Sequence, residues 1–136
     1  MIDDIAITAP ASWQVEHSQL IEPDDIVIVR AIRQPLRNAP AQIAMFIAQE
    51  GRQEKEELGD LETQPDHVIP LAAGWEGTDL VAAPEDAMGY KQKIRLVICG
   101  KPFGDSLILV ELQVPDSIAH AAPDTLARLL ASIGPA

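Results

Sequence analysis

The chain has 136 residues, 47% of them hydrophobic and 23% charged, with twenty-one acidic against ten basic side chains and a formal charge of -11. Such a composition suits one packed domain spanning 1–136 and is too apolar for a disordered chain. The negative field disfavours phosphate backbones and anionic lipid headgroups, so no nucleic-acid partner is expected.

No apolar run reaches the ~20 residues of a membrane span, so no membrane insertion is expected. The opening Met1-Ile2-Asp3-Asp4 carries acids where a secretory signal needs positive charge, which predicts a cytoplasmic protein.

In chain order, Ile5 to Thr8 is a short apolar run ending at Ala9-Pro10, and Trp13-Gln14-Val15 alternates as a half-buried strand does. The two are predicted to pair at a sheet edge. Asp25 to Arg33 places Ile26, Ile28 and Arg30 on one side and Val27, Val29 and Ala31 on the other, the pattern of a central strand covered on both faces. Pro35 and Pro40 bracket a break, after which Ile43, Met45 and Ile47 predict a further strand over Ala41 to Gln49, closing a long hairpin or arch.

Gly51 to Leu61 is rich in charge, with Leu58 and Leu61 as its apolar contacts, and predicts a short surface helix. Extended segments follow at His67 to Leu71 and at Gly74 to Val81, with a strand through Trp75 to Val81. Tyr90 to Cys99 and Ser106 to Val114 are two long apolar strands across Lys101-Pro102-Phe103-Gly104-Asp105. A turn centred on Phe103 sets Arg95 opposite Glu111 and Lys93 opposite Gln113, an opposite-charge pairing that supports an antiparallel ladder.

Asp116 and Ser117 can cap a short turn or helix running through Ala122, and Pro123 can start a second helix that runs to Ser132 and stops at Gly134. Leu126, Leu129, Leu130 and Ile133 form its apolar stripe, opposite Asp124, Thr125, Arg128 and Ser132. The order of elements predicts an α+β fold: an antiparallel sheet of about five to six strands, a C-terminal helix packed on it, and a short surface helix in the middle.

Chemistry is harder to find. Cys99, the one cysteine, lies among Leu96, Val97 and Ile98 and reads as core. His17, His67 and His120 lack the i, i+4 spacing or cysteine partners of a zinc site, and Glu54 to Glu62 lacks the alternating ligands and central glycine of a calcium loop. No nucleophile elbow or phosphate-binding glycine loop occurs, so no catalytic residue, metal or cofactor is expected and the chain reads as a non-enzyme. Trp13 and Trp75 each begin a strand and serve most simply as core anchors.

With Pro10 and Trp13 opening the fold, Ala73-Gly74-Trp75 in its middle, and a long strand ahead of Leu126-Ala127-Arg128-Leu129-Leu130-Ala131-Ser132-Ile133, the chain resembles the PsbP-like superfamily. It is especially similar to the small bacterial branches, the LpqN-type lipoproteins of actinobacteria and the DcrB-type proteins. The resemblance implies a curved antiparallel sheet flanked by helices that serves as a scaffold for binding or assembly, as in photosystem subunits, a Ran-binding import factor and chaperones for secreted toxins. It implies no catalytic set. Read from Met1, neither a signal peptide nor a lipidated N-terminal cysteine is expected, which sets the chain apart from the lipoprotein branch.

The expected function is a non-enzymatic bacterial adaptor or chaperone-like domain that binds a protein or peptide through its sheet face or edge. The motive is that one amphipathic helix is predicted for strands apolar on both faces, which leaves apolar surface for a partner or a second copy of the chain. The alternative is a carrier of a small apolar ligand, with a pocket between the C-terminal helix and the sheet lined by Trp75, Tyr90 and Phe103. An uncharacterised enzyme is the third reading.

Overall fold

The computed structural model describes residues 5–6, 14–16, 19–21, 28–59, 61–63, 74–82, 93–116 and 123–135. Among the described residues, seven antiparallel strands form the main sheet: β2 (Gln14–Glu16), β3 (Gln19–Ile21), β4 (Ile28–Pro35), β5 (Leu61–Thr63), β6 (Glu76–Ala82), β7 (Ile94–Phe103) and β8 (Ser106–Pro115). Their spatial order is β2-β3-β4-β8-β7-β6-β5. A second, two-stranded sheet pairs β1 (Ile5–Ala6) with β9 (Gly134–Pro135). The α+β class with a C-terminal helix on an antiparallel sheet is as the sequence predicts. β1, however, pairs with the C-terminal end rather than with the strand that follows it, and β2 pairs with β3.

The largest correction concerns 41–49, which is helical. Helix α1 runs from Ala39–Leu58 and absorbs both the predicted strand and the predicted short surface helix. Ile43, Met45 and Ile47 match a period of two by coincidence. Ile43, Phe46, Ile47, Glu50 and Glu54 fall at the helical spacing of three and four, and Met45 points away from that stripe at 62% exposure. Ala39, Ala41, Ala44 and Ala48 are strong helix formers, and Pro40 sits in the first turn, where a missing N–H costs nothing. The Gln42 side chain ties the entry down: its Oε1 accepts from the N–H groups of Arg37 and Asn38, and its Nε2 donates to the Pro35 carbonyl at 2.9 Å.

The hairpin of β7 and β8 also differs from expectation. Phe103 pairs with Ser106 across a two-residue turn, in which Gly104 takes a φ of 63°, the left-handed region that tight hairpin turns require. The tight turn moves the register by three residues, so Arg95 pairs with Val114 and Glu111 with Ile98. An odd shift exchanges faces, and Arg95 and Glu111 therefore lie on opposite sides of the sheet.

Each face has its own cover. On one, Val29, Ala31, Val97, Cys99, Ile108, Val110, Leu112 and Val114 pack beneath helix α2 (Pro123–Ser132), which contributes Leu129 and Leu130, and beneath Ile133 just past its end. Leu130 is fully buried, so Leu130→Ala should lower the unfolding free energy by about 2–5 kcal/mol, read from the shift of a urea unfolding curve. Asp124 and Arg128 are exposed on α2, as the predicted stripe requires.

On the other face, Ile98, Leu107 and Leu109 meet Ile43 and Phe46 of α1. Gly100 lets this helix approach closely, since a Cβ there would lie 2.8 Å from Ile43 Cγ1 and 2.9 Å from Leu109 Cδ2. The sheet is thus covered on both sides. The premise that one face lacks a helix does not hold, and the sheet face is not the open surface the sequence suggested.

Candidate functional site

The surface that stays open lies beside β4. The only large exposed hydrophobic residues among those described are Ile32, at 41%, and Met45, at 62%. They border one groove of about 170 Å³ between β4 and the first half of α1, lined by Ile32, Gln34, Ala41, Met45, Phe46 and Gln49. Ile32 and Gln34 reach it because even-numbered β4 residues share a face with Leu109 on β8, the face that α1 covers. The groove begins where β3 stops: β3 pairs only with Ile28 to Arg30, and among the described residues no strand continues beside Ala31 to Pro35.

Deeper under α1 is a cluster of carboxylates. Glu50 and Glu54, one turn apart on the helix, meet Glu111 of β8, and each offers an oxygen within 4.8 Å of the others. Arg30 of β4, which pairs with Glu111 across the sheet, donates from Nη1 to Glu50 Oε2 at 2.9 Å and to Glu111 Oε2 at 3.3 Å. One guanidinium cannot neutralise three buried carboxylates. Burial pushes the Glu111 carboxyl up to about 10, and its hydrogen bonds with Glu50 and Glu54 and their negative charge add to the rise. Three such oxygens could also meet a hard divalent cation, but Arg30 already brings positive charge into the cluster.

A second ionic cluster lies on the α2 face. Arg95, wholly buried, forks onto Asp79: Nε donates to Oδ1 at 3.1 Å and Nη2 donates to Oδ2. Its Nη1 donates to Asp116 Oδ1 at 3.4 Å. The diagonal across β6 and β7 explains the fit, because Asp79 is in register with Val97, two residues from Arg95.

The residues proposed from sequence to touch a ligand are placed as follows. Trp75 is buried, and its ring meets Phe103 edge to face, with centroids 6.2 Å apart and planes at 67°. Lys101 Nζ lies 5.0 Å from the Phe103 ring centre. Trp75 belongs to the core beneath α2, and half-buried Phe103 packs against it. Tyr90 lies outside the described residues, as do Trp13, His17, His67, His120, the segment 67–71 and the turn 117–122. Cys99 is buried core, and burial pushes its thiol up to about 12. No helix among the described residues is long and apolar enough to cross a membrane.

Sequence reasoning missed Glu50, Glu54, Glu111 and Arg30 as one cluster, and Ile32 with Met45 as one surface. A helical reading of 39–58 would have exposed the Glu50–Glu54 pair and left Met45 outside the stripe. Nothing local announces that Glu111 faces them.

No protein-family profile matches the sequence, and no curated protein matches it. Solved structures do share the fold. LpqN, described as involved in cell envelope biogenesis of Mycobacterium tuberculosis, aligns over 95% of this chain and 81% of its own at 14% identity, with a TM-score of 0.54. The Saccharomyces cerevisiae Ran-binding protein Mog1p aligns over 96% of this chain and 89% of its own at 13% identity, with a TM-score of 0.53. A mutant form of Mog1 gives 0.53 at 12% identity, over 96% of this chain and 90% of its own. At such identities the likeness is one of fold.

Proposed function

We propose that this chain is a non-enzymatic, protein-binding adaptor domain of the PsbP-like type, and that it takes its partner in the groove between β4 and α1. The observation that carries this reading is the pairing of Ile32 and Met45: the two large apolar side chains exposed among the described residues border the same groove. Both sheet faces are occupied by the protein's own helices, so of the two places the sequence reading offered, sheet face or edge, the edge is the one that fits. The shared fold with a Ran-binding protein supports a binding role.

The carrier reading draws less support. Trp75 and Phe103, which would line its pocket, fill the core against each other. The ionic clusters are internal to the packing of the sheet against each helix, which suits structural rather than catalytic work.

The test is affinity capture from the native host with the wild-type chain and Met45→Glu, a change at an exposed helical position that leaves the core untouched. A partner held by the wild type and lost by Met45→Glu is the expected result. Capture unchanged by Met45→Glu rejects the groove, and a small apolar molecule released on denaturing the purified protein would favour the carrier instead.

A further inference from the structure

The groove adjoins a stretch of strand edge, and the two together define the shape of what binds. Leu36 N–H donates to the Asp105 carbonyl at 2.8 Å, so alternation along the chain turns the main-chain groups of even-numbered β4 residues toward β8 and those of Ala31 and Arg33 outward. Among the described residues, β3 pairs no further along β4 than Arg30. Beyond it, the N–H and C=O groups of Ala31 and Arg33 face the position a neighbouring strand would take. Pro35 closes that run, because it has no N–H and its carbonyl accepts from Gln42 Nε2.

Charge narrows the choice further. Residues 28–49 carry Arg30, Arg33 and Arg37 and no Asp or Glu, so all twenty-one acidic side chains of the chain lie elsewhere. Arg30 is engaged with Glu50 and Glu111. Arg33 and Arg37 are exposed, and Arg33 anchors its Nε on Ser106 Oγ at 3.1 Å. On a chain of net charge -11, this edge is a cationic rim around an apolar groove.

We propose that the occupant is an extended acidic segment of a protein partner, with an apolar side chain at every second position, added as a strand to β4 alongside Ala31 to Pro35. This inference rests on the reading of the groove as the binding site. Residues of the added strand opposite Ile32 and Gln34 share their face and enter the groove beside Met45 and Phe46. The residue between them lies opposite Arg33, on the other face, where a carboxylate meets the guanidinium. The motif is apolar-acidic-apolar, held by main-chain bonds that a helical ligand cannot make.

The test uses the full chain and fluorescein-labelled heptapeptides in anisotropy titrations. Thr-Glu-Val-Glu-Val-Glu-Thr should bind, whereas Thr-Lys-Val-Lys-Val-Lys-Thr should bind at least about tenfold more weakly, the size of one lost favourable contact. Met45→Glu and Arg33→Glu, each checked for an unchanged melting curve, should weaken the acidic peptide by a similar factor. Methylating alternate amide nitrogens of the peptide should abolish binding in one of the two phases and leave it intact in the other. Equal binding of the lysine peptide, or indifference to N-methylation in both phases, overturns the inference. So does sedimentation showing a dimer of the protein alone that Met45→Glu dissolves, which assigns the groove to a second copy. If no peptide binds while Met45→Glu still removes a captured partner, the acidic strand is rejected and the groove reading stands.

Discussion

Replacing Arg95 with leucine is expected to destabilise the protein by about 3–5 kcal/mol, the cost of breaking a buried ion pair by removing one member. Arg95 is fully buried, yet its side chain serves two carboxylates, forking onto Asp79 and reaching Asp116. Leucine would fill part of the volume and leave Asp79, itself almost wholly buried, without its cation. The penalty comes from that abandoned carboxylate more than from the lost attraction. A double variant that also converts Asp79 to leucine should therefore recover much of the loss. Urea unfolding of the wild type, both single variants and the double variant measures this. A loss below about 1 kcal/mol for Arg95→Leu would show that the pair is solvated in solution.

The second large effect is on pH dependence. Glu111 keeps its proton in the folded protein up to about 10, whereas the unfolded chain releases it near the ordinary value of 4.5. Between those limits the folded state binds more protons than the unfolded state, so this group's stabilising contribution is complete in acid and is lost progressively as pH rises toward about 10. The slope is at most about 1.4 kcal/mol per pH unit for one proton. The groups facing Glu111 are Glu50 and Glu54 from α1 and Arg30 from β4, so the loss should appear as weaker docking of α1 on the sheet. Glu111→Gln, which needs no proton to stay neutral, should flatten the dependence and be more stable than the wild type at pH 9. Thermal melts from pH 5 to pH 9 check both; parallel curves for the two proteins would falsify the raised Glu111 carboxyl.

Much of the sheet was legible because its signals are local. β6, β7, β8 and α2 follow from runs of apolar residues, period and capping chemistry, each readable within ten residues. α1 was misread where two periodicities overlapped: Ile43, Met45 and Ile47 satisfy a strand, while Ile43, Phe46, Ile47, Glu50 and Glu54 satisfy a helix. The second pattern prevails because it matches a face of the sheet that would otherwise lie bare, information absent from the segment itself. The hairpin register failed for a similar reason. Arg95 and Glu111 are an attractive pair on paper, but the two-residue turn at Gly104 moves them to opposite faces, where each finds a different partner.

The candidate site was less legible than the fold. Trp75 and Phe103, named with Tyr90 as the lining of a ligand pocket, do meet: Trp75 is core, as its core-anchor reading has it, and Phe103 packs against that core. Ile32 sits in a strand whose alternation reads as buried on both sides, yet it is exposed, and among the described residues β3 pairs no further along β4 than Arg30.

By itself, then, the chain determines an acidic α+β protein with a long central hairpin, a buried thiol at Cys99 and a closing helix, since periodicity, composition and turn residues act over short distances. Tertiary structure decided which strands neighbour one another, which helix covers each face, and which charges are buried together. Those outcomes depend on contacts between segments as far apart as Arg30 and Glu111, whose energies no local pattern encodes. The extent of β3 along β4 is of the same kind: among the described residues it pairs with Ile28 to Arg30, beside an apolar groove with Arg33 and Arg37 at its rim.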